Sequence, residues 1–92
     1  MKNNSRLHIE FLKHKCDLIK DEILHLKGRI NIIEKHYNFI VENEECFFSA
    51  NEVTKYLRER YKEQNSLKDK IHSLKAELKQ LEIKLNTASI QA

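Results

Sequence analysis

Ile40-Val-Glu-Asn-Glu-Glu-Cys-Phe-Phe-Ser-Ala-Asn-Glu-Val53 is where the apolar period of this 92-residue chain breaks, and the break decides the fold. On its N-terminal side apolar residues step 3 and 4 alternately through Ile9, Leu12, Cys16, Ile19, Ile23, Leu26, Ile30, Ile33, Tyr37 and Ile40. On its C-terminal side the same alternation runs through Val53, Leu57, Arg60, Gln64, Leu67, Ile71, Leu74, Leu78, Leu81 and Leu85. Such spacing keeps one stripe of a helix facing one partner. Folding the chain back near Cys46 pairs the stripes layer for layer, from Ile40 against Val53 to Ile9 against Leu85. The reading is all-α: a long antiparallel helical hairpin of coiled-coil type. Two chains exchanging arms across a straightened turn satisfy the same spacing.

The boundaries follow from local chemistry. Ser5 is placed to cap a first helix over about residues 5–42, and the acidic residues after it are unfavourable at a helix C-terminus. A turn over about 43–49 ends in Ser49-Ala-Asn-Glu52, a capping-box pattern that starts a second helix over about 50–86. Residues 87–92 are expected to fray. The whole chain, 1–92, reads as one domain.

Charges beside the seam test the register independently of the apolar residues. On one edge Arg29 faces Glu63, Glu22 faces Lys70 and Lys15 faces Glu77. On the other, Lys13 faces Glu82, but Lys20 faces Lys75 and Lys27 faces Lys68. A parallel pair of second helices would set Lys70 against Lys75 and Glu77 against Glu82, so the hairpin register is preferred. Each exposed pair contributes only a few tenths of a kcal/mol, which bears on the choice of register more than on stability. Arg60 and Gln64 interrupt the seam opposite Ile33 and Ile30; Arg60 is expected to snorkel outward, towards Glu34, the alternative being that the two fix register or oligomer state.

Composition narrows the class. Charged residues make up 34% of the chain, with one Gly, no Pro and a net charge of +3. These are solvated helices with interspersed signs, and the small basic excess does not by itself imply nucleic acid. No stretch resembles a leader or a membrane span, so the expected compartment is the cytoplasm. Cys16 and Cys46, thirty residues apart, are expected to be reduced thiols.

Two features remain outside the seam. Phe11, Leu18, Ile32 and Phe39 recur every seven residues, interrupted by His25 and flanked by Leu24, on a face the second helix does not cover. Uncovered apolar faces mark interfaces, which points to a homodimer closing a four-helix bundle and to docking of another helical protein. Phe47 and Phe48 at the turn extend that partner-binding set. The second feature is Lys20, Lys27, Lys68 and Lys75, the anion-site candidate under the alternative of a helical-bundle nucleic-acid-binding protein. No arginine or exposed aromatic residue stands beside that row.

Catalytic and cofactor signals are weak. The five histidines form no i, i+4 pair, neither cysteine is in a CxxC, and no Gly-rich phosphate loop occurs. Arg29 and His36, followed by Tyr37, superficially resemble the Arg-x(4–6)-His motif of HEPN-type ribonucleases, but Ile30 stands where that family carries a polar residue. No cofactor or metal is expected. The reading is therefore a non-catalytic interaction or assembly module of the adaptor, chaperone, scaffold or inhibitor type.

Overall fold

The structure, a computed structural model, describes the backbone of residues 2–47 and 49–91 and the side chains of 6–43 and 49–90. Two helices, α1 (Lys2–Phe47) and α2 (Ala50–Gln91), pack against each other as a hairpin. Their residues gather into two compact units: Met1–His25 with His72–Ala92, and Leu26–Ile71.

Both units are built on the stripes that the spacing predicts. In the first unit Leu12, Cys16, Ile19, Ile23 and Leu81 are buried, and in the second Leu26, Ile30, Ile33, Val53, Leu67 and Ile71. Every buried side chain among the described residues belongs to one stripe or the other. The remaining stripe positions are half-buried and none is exposed. No described side chain is completely enclosed, because each helix covers only one side of its neighbour.

The helix ends differ from the expected boundaries. The first helix, expected over about 5–42, runs from Lys2 to Phe47, and the break in its period takes the form of a kink: Asn43 leaves helical geometry at φ −121°, ψ 17°. There its side-chain Nδ2 donates to the Phe39 carbonyl at 2.8 Å, occupying an oxygen from the helix's own ladder. Helical backbone then resumes, which shortens the link expected over 43–49. The Ser5 and Phe47 side chains, and Phe48, lie outside the described residues.

At the start of α2, Ser49 acts as the cap the sequence indicates. The Glu52 amide donates to Ser49 Oγ at 3.3 Å, and the Val53 amide donates to the Ser49 carbonyl at 3.0 Å. At its far end α2 continues to Gln91 instead of fraying after Asn86. The continuation meets no Gly or Pro over residues 87–91, and within it the Thr87 hydroxyl donates to the Ile83 carbonyl at 3.0 Å. Gly28 lies within α1 with nothing within 4 Å of where a Cβ would stand, so an outer position, not a close approach, accommodates it.

Candidate interaction surface

The apolar row outside the seam is exposed. In the first unit Phe11 is 58% exposed, while Leu12, the next residue along the chain, is 4% exposed. Leu18 and Leu24 on the same unit are likewise exposed, as are Ile32 and Phe39 on the second. A helix turns 100° per residue, so a one-residue step moves a side chain from the seam to an outer face. The Phe11 ring carries one local contact, with Lys15 Nζ 5.6 Å from its centroid. Lys15 thus lies along its own helix, and among the described residues no ion pair joins it to Glu77 or Lys13 to Glu82.

Other apolar side chains outside the stripes are also exposed. Leu7, Ile83 and Ile90 belong to the first unit, and Val41 and Tyr61 to the second. Ile83 stands two residues after Leu81, out of register with the stripe, which is the signal that marks it as outward-facing. It lines a shallow depression with His8, Lys84, Thr87 and Ala88.

The second unit holds the most organised polar arrangement. Arg29 Nη2 donates to Glu63 Oε1 at 3.1 Å, and Arg60 Nη1 pairs with Glu63 Oε2 at 2.8 Å. One carboxylate therefore serves two guanidinium groups. The Arg29–Glu63 pair is one of those that the charge pattern identifies. Arg60 does not reach Glu34; Gln64 does, its Nε2 donating to Glu34 Oε1 at 2.8 Å. Glu63 lies on the same face of α2 as Arg60, one turn away, and captures it first. The Tyr56 ring centroid lies 5.4 Å from the Arg60 guanidinium carbon, and Arg60 Nε is enclosed without a hydrogen-bond partner. Arg29, Arg60 and Glu63 border a cleft of about 260 Å³ together with Ile32, Ile33 and His36. Sequence spacing places Arg29 and His36 on one flank, but the shared carboxylate becomes visible only when α2 is packed against α1.

Lys20 and Lys75 belong to the first unit and Lys27 and Lys68 to the second, and all four are exposed. None of them forms an ion pair among the described residues. Cys16 is a buried free thiol in the seam, and the Cys46 side chain lies outside the described residues. Among the described residues no three His, Cys, Asp or Glu side chains are grouped to hold a metal ion, and no helix is long and apolar enough to cross a membrane. No protein-family model, curated protein or solved structure matches the chain.

Proposed function

We propose that the chain is a non-catalytic interaction module that works by helix-on-helix recognition and whose first partner is a second copy of itself. The observation that carries this reading is the exposure of Phe11, Leu18, Leu24 and Ile32 on a helix whose seam residues are buried. Large apolar side chains in a row are costly to leave in water and stabilise an interface when covered. A second copy suits this row because positions 11, 18, 25, 32 and 39 step by seven, and the row read backwards superimposes on itself about His25. By sequence register alone, an antiparallel second copy matches position 11 with 39 and position 18 with 32, the self-complementarity a two-fold dimer requires. The absence of any completely enclosed side chain among the described residues supports the same reading, since two further helices would close the core from outside.

Light scattering tests the proposal. The wild-type chain is expected at twice its 11.0 kDa mass at high micromolar concentration, and Phe11→Asp with Leu18→Asp is expected to return it to 11.0 kDa with helicity retained. A wild-type mass of one chain, or a double variant that keeps the doubled mass, contradicts it.

A further inference from the structure

The cleft in the second unit has the ingredients of an anion site, and of its lining only Ile32 is shared with the proposed self-association face. Its polar lining is two guanidinium groups, one carboxylate and the His36 imidazole. The Glu63 carboxylate offsets one of the two positive charges, leaving an excess of one before any proton on His36 is counted. Each oxygen of Glu63 is engaged by a different arginine, and each guanidinium carries five N–H donors. Arg60 Nε is enclosed and out of a ligand's reach, but Arg29 is half exposed and keeps donors beyond the one given to Glu63. Ile32 and Ile33 supply the aliphatic part of the lining.

Size selects the ligand class. A volume of about 260 Å³ is several times that of one water, roughly 30 Å³, and lies below the roughly 300–1,000 Å³ of pockets that enclose drug-sized molecules. A nucleotide is too large to be enclosed, whereas a phosphate or carboxylate group is not. We propose that this cleft binds a small oxyanion through Arg29 and His36, with Glu63 and Arg60 holding the Arg29 guanidinium in position. Glu63 both orients Arg29 and competes for it, and this dual role makes the site distinguishable from a merely basic surface.

The test is a side-chain NMR titration of the full chain, following the Arg29 Nε–Hε and His36 ring resonances at constant ionic strength. One arm adds inorganic phosphate and the other acetate. Saturable shifts confined to Arg29, His36 and their neighbours in either arm support the site, and the stronger arm identifies a tetrahedral or a planar oxyanion as the preferred ligand. Arg29→Gln is expected to weaken binding about tenfold or more, the loss of one charge-assisted contact. His36→Gln, also at an exposed position, is expected to weaken it less. Glu63→Gln is expected to strengthen binding several-fold by removing the internal competitor. Non-saturating shifts shared by the exposed lysines, or binding unaffected by Arg29→Gln and His36→Gln, would overturn the proposal.

Discussion

Leu12→Ala is expected to cost the hairpin about 2–5 kcal/mol, while Phe11→Ala, one residue earlier, changes the stability of the isolated chain by no more than about 0.5 kcal/mol. The two residues are adjacent in sequence, but Leu12 is 4% exposed and Phe11 58%. Truncating Leu12 removes a buried apolar side chain from the seam and leaves a void that a two-helix core has few neighbours to refill. For a chain of this length, total stability is on the order of 5–14 kcal/mol, so the loss is a large fraction of the whole. Urea denaturation followed by circular dichroism at low protein concentration measures both variants. At high concentration the Phe11→Ala effect is expected to grow, because self-association draws on the same ring and adds its free energy only to the folded state. Equal costs for the two variants at low concentration would contradict the assignment of the seam.

The second large effect has the opposite sign. Arg60→Leu with Gln64→Leu is expected to stabilise the hairpin by about 1–3 kcal/mol, because replacing partly buried polar groups with apolar ones of similar volume is commonly favourable. Neither loss strands a partner in the core. Glu63 retains Arg29, and Glu34, which Gln64 meets, is exposed. The enclosed and unpaired Arg60 Nε disappears with the substitution. A polar residue in a seam can hold register at a cost in stability, and the double variant tests that role for the pair. The denaturation midpoint of the double variant should therefore rise, while its oligomer distribution in sedimentation broadens. A lowered midpoint would mean that the polar contacts stabilise the middle of the hairpin more than a continuous apolar seam would.

Much of the architecture is legible because it rests on one period. The alternation of 3 and 4 residues identifies every buried side chain among those described, from Leu12 to Leu81, and the Ser49 cap is readable because a hydroxyl three residues before an amide has one favourable use. Helix ends are less legible. Asn43 ends the period of α1 as a kink and not as a terminus, since its side chain bonds to Phe39 within the same helix. Nothing in the periodicity predicts that α2 passes Asn86, because the absence of a breaker after Leu85 acts outside the stripe.

The interaction surface divides in the same way. Phe11, Leu18, Leu24, Ile32 and Phe39 are visible as apolar residues off the seam, since helical geometry alone excludes them from it. The arrangement around Glu63 depends on side-chain reach. Spacing pairs Arg29 with Glu63, but it cannot decide that Arg60 turns to Glu63 along its own helix and leaves Glu34 to Gln64. Ion pairs between flexible exposed chains are similarly under-determined, which is why Lys15 lies over Phe11 while a sequence count matches it with Glu77.

In the hairpin, α1 and α2 of one chain pair with each other. Spin labels at Lys13 and Glu82, both in the first unit, measure this directly when doubly labelled chains are refolded in a large excess of unlabelled chain. Dilution leaves only distances within a single chain. Pairing within the chain predicts a narrow distribution at little more than one helix diameter, about 10–20 Å. A long or broad distribution that contracts only when labelled chains are concentrated would show that the arms are exchanged between chains, and would contradict the hairpin.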